Sequence, residues 1–152
     1  MLNNILFVCT GNTCRSPMAE HIFNKKAKEK GINYEVKSCG VAAFGSSSAS
    51  ENAIKALNEL GIDLSVHKSK MITQEDIACA DVILTMTNSH KHHILQYFGE
   101  FSNKVYTVYE YALSQKSDIS DPFMGSIEIY RSCRDELNKL LEIIIKKLLE
   151  EI

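Results

Sequence analysis

Cys9 and Arg15 are separated by five residues, between a short apolar run and a helix-like pattern. Successive backbone N–H groups in a tight loop, beside the positive end of a helix, form a concave anion site. An arginine there can hold two phosphate oxygens with its planar guanidinium. A thiol in that field loses its proton well below its free pKa of about 8.5, and the thiolate can attack phosphorus. The pair therefore predicts a cysteine nucleophile at the floor of an oxyanion site.

The residues around the pair complete a predicted phosphate-binding loop. Gly11 and Asn12 are of the types that most readily take left-handed backbone angles. Ser16 is predicted to cap the following helix, with Pro17 at its first position. Besides Cys9 and Arg15, the predicted loop contains Thr10, Gly11, Asn12, Thr13, Cys14 and Ser16. Because buried cysteines are usually inert, the alternative is that Cys9 only ends a buried strand. The loop around it argues against that alternative.

A thiolate nucleophile needs a proton donor for its leaving group, and Asp121 is the candidate. It precedes Pro122 in a predicted loop between the fourth strand and the last helix. From there it can protonate the leaving group and later take a proton from water. Asp118 is the rival acid, and an Asp-Pro pair by itself is more often only a turn.

Alternating strand and helix patterns position these residues. Residues 5–8 and 82–86 are nearly continuous apolar runs, typical of central parallel strands. Strands are also predicted at 34–38, where apolar and polar residues alternate as at a sheet edge, and at 105–108. Helical periodicity predicts helices over 16–31, 53–61, 90–98 and 130–148. This alternation favours an α/β fold, in which ligands bind beyond the carboxyl ends of the strands.

Length and charge bound the function. The 152 residues suit a single domain over 1–152. A net charge of −2 leaves no broad basic field for nucleic acid or an anionic membrane. No apolar run approaches the roughly 20 residues of a membrane span, and the first eight residues lack the basic start of a secretory signal. With five cysteines, an odd number, we expect a reduced cytoplasmic protein without a disulfide framework.

The remaining thiols and histidines receive mostly structural interpretations. Cys14 is predicted to form a reversible disulfide with an oxidised Cys9, the alternative being an inert buried thiol. The other cysteines are interpreted as core residues: Cys39, Cys79 and Cys133. The run from His90 to His93 is interpreted as a solvated helix face, since successive histidines on a helix point in different directions. His67 is interpreted as structural, and no metal site is predicted.

At this point a family resemblance is plain. Val8 to Glu20 and Asp121-Pro122-Phe123 resemble the signatures of the low-molecular-weight protein-tyrosine phosphatases, and the similarity continues through nearly the whole chain, including 38–41, 80–86 and 125–130. Cys-Thr-Gly-Asn-Thr-Cys-Arg-Ser-Pro-Met-Ala-Glu and Asp-Pro-Phe-x-Gly-Ser-Ile resemble most closely the bacterial protein arginine phosphatase branch. The resemblance implies a three-layer α/β fold, with a four-stranded parallel sheet in order 2-1-3-4 and helices on both faces. It also implies hydrolysis through a phosphocysteine, with no metal and no cofactor.

The resemblance also assigns roles. It makes Cys9 the nucleophile, Arg15 the phosphate clamp and Asp121 the general acid and base. Asn12 would brace the loop, and the Ser16 hydroxyl would support the thiolate.

Substrate selectivity is implied by residues at the pocket. In the arginine phosphatase branch a threonine at Thr13 replaces a bulkier isoleucine or leucine, and it favours phosphoarginine. Phe123 and Phe44 are candidate pocket walls, although loop or core packing explains Phe44 equally well. Met124 departs from the pattern, because related enzymes have an aromatic residue or glycine there.

Three functions follow from these observations. The first is a phosphatase acting on phosphorylated proteins, with phosphoarginine ahead of phosphotyrosine. A thioredoxin-coupled arsenate reductase shares the loop but needs a further pair of redox cysteines, and Cys79 has no neighbouring cysteine before Cys133. The third function is a phosphate-binding module without activity. Cys9, Arg15 and Asp121 together argue against it, because binding alone needs neither a thiol nor an acid. The oligomeric state is left open by the sequence, with a monomer as the expectation.

Overall fold

Four parallel strands form one sheet in the computed structural model, which describes residues 3–151. The strands are β1 Asn4–Cys9, β2 Glu35–Gly40, β3 Val82–Thr85 and β4 Val105–Thr107. Their order is β2-β1-β3-β4, and every pairing is parallel. The predicted sheet is therefore confirmed. Residues 1, 2 and 152 of the predicted single domain lie outside the described residues.

Within residues 3–151, six helices surround the sheet. They are α1 Arg15–Glu29, α2 Glu51–Asn58, α3 Gln74–Cys79, α4 Asn88–Tyr97, α5 Val108–Leu113 and α6 Ile127–Glu150. A stretch of 3₁₀ helix over Gly99–Lys104 is interrupted at Phe101. The sequence patterns did not predict this stretch, α3 or α5, each of which is six residues long. Capping boxes begin α3 and α5, with Thr73 and Thr107 as the N-caps.

Side-chain alternation along β1 builds a core on each face of the sheet. Ile5 and Phe7 point into the larger core, beside apolar residues of α1, α2, α5 and α6. Leu6 and Val8 point into the smaller core, which includes Ile77 of α3 and Ile94 of α4. Because both faces of β1 are covered, its carboxyl end at Cys9 is held rigidly inside the fold. Among the described residues no helix has the length and apolar character to span a membrane.

Candidate active site

The loop between β1 and α1 carries the predicted site at the carboxyl end of the central strand. Cys9 is the last residue of β1, and Arg15 is the first of α1. Both side chains are buried. Asn12 takes the left-handed conformation, with φ +57°, whereas Gly11 keeps a negative φ. The loop's left-handed turn therefore depends on Asn12 alone.

Ser16 lies inside α1, so its predicted role as the N-cap is wrong. Cys14 occupies the N-cap position, and it makes no side-chain capping bond. The Ser16 hydroxyl instead lies 2.8 Å from the Cys9 sulfur, and it is fully buried. The structure thus uses this hydroxyl at the candidate nucleophile rather than at the end of the helix.

Opposing influences act on the Cys9 thiol. Burial is the largest, and it raises the pKa of Cys9 above its ordinary value. The Ser16 hydroxyl and the backbone N–H groups of Ser16 and Asn12 act to lower that pKa, as does the charge of Arg15. The predicted lowering of the Cys9 pKa is therefore wrong for the protein without bound phosphate, because the prediction included the positive field and omitted the cost of desolvation. The thiolate therefore depends on every donor directed at the sulfur.

Ser16→Ala is expected to raise the pKa of Cys9 by about 1–2 units. A hydrogen bond to a charged group contributes about 1.5–3 kcal/mol, and one pKa unit corresponds to about 1.4 kcal/mol. Losing the donor destabilises the thiolate, so the midpoint of Cys9 alkylation shifts to higher pH. Alkylation of the Cys9 peptide across pH, read by mass spectrometry, measures the shift. Ser46→Ala, at an exposed loop position, is the control, and an unmoved midpoint in Ser16→Ala would remove Ser16 from thiolate stabilisation.

The guanidinium of Arg15 is held from two sides. Its Nη1 donates to the carbonyl of Ile119 at 2.9 Å, and its Nη2 lies 3.5 Å from the hydroxyl of Thr10. Nη2 is also 3.5 Å from Oδ2 of Asp121. These contacts hold the guanidinium in place beside the loop, where its N–H groups can bind two oxygens of a phosphoryl group.

The two candidate acids occupy different places. The side chain of Asp121 is 51% exposed, lines the candidate cavity and accepts from the backbone N–H of Phe123 at 3.0 Å. Asp118 instead accepts from the backbone N–H of Asn88 at 2.8 Å, at the beginning of α4. The geometry therefore favours Asp121 as the acid.

A cavity of about 190 Å³ joins the predicted site residues. It is lined by Cys9, Thr10, Gly11, Thr13, Cys14, Arg15, Asp121 and Phe123. Of the two predicted walls, Phe123 lines it and Phe44 does not. Phe44 is 81% exposed, so core packing is also wrong for this residue. Met124 is 87% exposed and has a φ of +66°, an uncommon conformation for a side chain of its size.

Asn12 connects the loop to three other segments, as predicted for a bracing residue. Its Nδ2 donates to the hydroxyls of Ser16 at 2.8 Å and Ser38 at 2.9 Å. Its Oδ1 accepts from the backbone N–H of Lys70 at 3.0 Å. Its carbonyl accepts from Nε2 of His67 at 2.8 Å, which agrees with the structural interpretation of that histidine.

Two supporting residues were missed or misread in the sequence. A Cβ on Gly40 would lie 2.4 Å from the carbonyl oxygen of Thr10, so only glycine lets β2 approach the loop this closely. His90 is buried rather than solvated, and a 2.8 Å hydrogen bond joins its Nε2 to the Thr10 hydroxyl. Burial and the nearby Arg15 lower the pKa of His90 to about 4, so it is neutral at pH 7. Nothing in the local sequence signals either contact.

All five cysteines are free, and they differ in exposure. Cys39 and Cys133 are buried as predicted, but Cys79 is exposed at the end of α3, so its assignment to the core is wrong.

The Cys14 sulfur lies 3.2 Å from the Tyr130 hydroxyl and 3.4 Å from the Ser50 hydroxyl. The disulfide between Cys9 and Cys14 stays a prediction.

Fold and loop together define a small cysteine-dependent phosphatase. A model of the family described as low molecular weight phosphotyrosine protein phosphatase matches residues 4–152. The chain belongs to this family, as the sequence resemblance predicted.

Individual proteins of known activity within this family are similar to the chain over nearly its whole length. The chain is 46% identical over 145 residues to a protein-arginine-phosphatase of Bacillus subtilis, covering 95% of this chain and 96% of that protein. It is 40% identical to the low molecular weight protein-tyrosine-phosphatase PtpB of Staphylococcus aureus, covering 90% and 93%. A solved structure of YwlE arginine phosphatase superposes with a TM-score of 0.93 at 45% identity, covering 95% of each chain. That structure is a cysteine-to-serine variant whose active-site serine is phosphorylated.

Proposed function

We propose that this protein hydrolyses phosphoarginine in proteins, through a phosphocysteine formed on Cys9. The observation that carries the proposal is Thr13, which lines the candidate cavity together with Cys9, Arg15 and Asp121. The similarity to arginine phosphatases of Bacillus subtilis and Geobacillus stearothermophilus supports the same substrate. Phosphotyrosine is the second candidate, and the similarity to PtpB supports it.

The reaction follows from the placement of the groups. The phosphoryl oxygens accept hydrogen bonds from the backbone N–H groups of the loop and from the guanidinium of Arg15. The Cys9 thiolate attacks phosphorus and forms an S–P bond while the P–N bond of phosphoarginine breaks. Asp121 gives its proton to the departing nitrogen, so the arginine side chain leaves with its proton restored.

Water then completes the cycle. Asp121, now a carboxylate, takes a proton from a water molecule, whose oxygen attacks the phosphorus of phosphocysteine. The S–P bond breaks, inorganic phosphate forms, and the thiolate of Cys9 is regenerated. Two in-line displacements on one loop thus return every group to its starting state.

Thr13 distinguishes the two leaving groups by size and polarity. A phosphoarginine brings a planar guanidino group with several N–H donors close to phosphorus, and a threonine hydroxyl can accept from it. A phosphotyrosine brings an aromatic ring, which gains from apolar contact at the same place. The shorter, polar side chain of threonine therefore favours phosphoarginine.

Thr13→Ile is expected to lose phosphoarginine activity while keeping or gaining phosphotyrosine activity. The substitution adds a methylene and deletes the hydroxyl. The bulk alone can change discrimination by roughly 1–3 kcal/mol, or about 10–200-fold, and the lost polar contact adds to it. The measurement is the ratio of the two kcat/KM values in wild type and variant.

Thr13→Val separates size from polarity, because it deletes the hydroxyl and keeps the volume almost unchanged. If Thr13 only packs within the loop, both activities fall together in Thr13→Ile. An unchanged ratio would therefore exclude Thr13 as the selectivity residue.

The cellular setting is part of the proposal. We place the enzyme in the cytoplasm, as a monomer acting on phosphorylated proteins. The odd number of cysteines, at spacings that suggest no disulfide framework, supports a reducing compartment. Size-exclusion chromatography with light scattering tests the monomer, and a stable dimer would contradict it.

A further inference from the structure

Three side chains that ligate metals well meet on the outer side of the loop. Glu20 and His21 belong to the second turn of α1, and His67 lies between α2 and α3. One ligand atom from each lies within 4.8 Å of the others. None of the three lines the candidate active-site cavity. They therefore form a separate cluster, which the reaction described above does not use.

Neighbouring hydrogen bonds hold two of these side chains in place. His67 donates its Nε2–H to the carbonyl of Asn12 at 2.8 Å, so its Nδ1 is the nitrogen left for a metal. One oxygen of Glu20 accepts from the hydroxyl of Ser38, and the other lies 3.6 Å from Nε2 of His21. A histidine bonded to a carbonyl and a carboxylate bonded to a hydroxyl are the usual supports of protein metal ligands.

The cluster opens to solvent. The side chains of Glu20 and His21 are about one-fifth exposed, and the surrounding cavity has a volume of about 420 Å³. An ion can therefore enter without unfolding the chain, and a water molecule can complete its coordination.

The ligand types and the charges near this cluster determine which metal ion it fits. Three lysines and an aspartate also line this cavity: Lys37, Lys68, Lys70 and Asp76. Lys70 pairs with Asp76, Lys68 donates to Ser48 and Lys37 pairs with Glu35, so each ammonium group has its own partner. Two imidazoles with a single carboxylate are a poor site for Mg²⁺ or Ca²⁺, which require several oxygens. Imidazole ligands suit Zn²⁺ and its neighbours in the first transition row.

We propose that Glu20, His21 and His67 bind a divalent transition-metal ion, with Zn²⁺ as the best match. Two histidines and a glutamate, with a fourth position open to water, form a donor set that zinc commonly uses. From the sequence, His67 is interpreted as structural and only the run from His90 to His93 is weighed as a metal site, so this cluster was not predicted. Because His67 also holds Asn12, an ion here would be anchored to the phosphate-binding loop through one imidazole.

Zinc binding to the full chain tests the proposal without any activity assay. Competition with a chromogenic chelator is expected to give one bound Zn²⁺ per chain. His21→Ala and Glu20→Gln are expected to weaken that binding by at least about tenfold. His21→Ala is the primary variant, since alanine favours the helix and leaves the His67 bond to Asn12 in place. His92→Ala, at an exposed position of α4, is the control and should bind like wild type.

The thiols of the chain compete with the proposed site for a metal ion, and the absorption spectrum of bound Co²⁺ shows whether a thiolate is a ligand. With Co²⁺ as the probe, the proposal expects ligand-field bands that disappear in His21→Ala, without the intense near-ultraviolet band of a cobalt–thiolate bond. Far-ultraviolet circular dichroism confirms that the variant is folded. If His21→Ala binds like wild type, or if the spectrum shows thiolate ligation, the proposed site does not exist.

Discussion

The Cys9→Ser variant is expected to lose hydrolysis by on the order of 10⁴–10⁶-fold, as removal of a nucleophile does in other enzymes. A serine hydroxyl is far less acidic than a thiol, so it supplies almost no anion at pH 7. The loop backbone, Arg15 and Asp121 remain, and binding of phosphate or vanadate should therefore stay measurable. In the related YwlE structure the substituted serine is phosphorylated, so slow transfer to Ser at position 9 is consistent with the mechanism.

Steady-state turnover and vanadate titration measure the two effects separately. Cys79→Ser makes the same chemical change at an exposed cysteine at the end of α3, and it should keep wild-type activity. Substantial turnover by purified Cys9→Ser would contradict Cys9 as the nucleophile. Loss of both turnover and vanadate binding, with the fold intact, would contradict the assignment of phosphate binding to the loop backbone and Arg15 rather than to Cys9.

The Asp121→Asn variant is expected to slow hydrolysis by roughly 10²–10⁴-fold, the usual range for a positioned general acid. Asparagine keeps the shape, and its side-chain oxygen can still accept from the N–H of Phe123, but it has no proton to give. The carboxylate's place beside Arg15, 3.5 Å away, puts it near the leaving group. The effect should be smaller with a substrate whose leaving group needs no proton.

Asp118→Asn is the matched control, because it makes the same change three residues earlier. Asp118 holds the backbone N–H of Asn88, so its substitution should change activity little. The values of kcat for both variants, measured with good and poor leaving groups, decide between the two acids. If Asp118→Asn has the larger effect, the general acid has been assigned to the wrong residue.

The fold was largely predictable because its strands are simple. The apolar runs at 5–8 and 82–86 indicate central strands by composition alone, and the alternation at 34–38 indicates an edge. Strand order came from the family resemblance and not from periodicity. The short helices α3 and α5 were not predicted, because six residues are too few to show a helical period. Their capping boxes, at Thr73 and Thr107, were the available signal.

The site was predictable where it is contiguous in sequence. The loop from Cys9 to Ser16 is one segment, and Pro122 marks Asp121. The supports of the loop come from distant segments, as with Gly40, His90 and His67, and only the fold brings them together. Ser16 and Cys79 were misassigned because hydroxyl and thiol side chains fit both a buried and an exposed position equally well by local pattern.

Two peptides of identical sequence, one with phosphoarginine and one with phosphotyrosine at the same position, test directly whether the enzyme prefers phosphoarginine. Each peptide incubated without enzyme serves as the blank for uncatalysed P–N cleavage. The mechanism and the placement of Thr13 predict a higher kcat/KM for the phosphoarginine peptide with the wild-type enzyme. A higher kcat/KM for the phosphotyrosine peptide would contradict the proposed substrate and leave a tyrosine phosphatase of the same family.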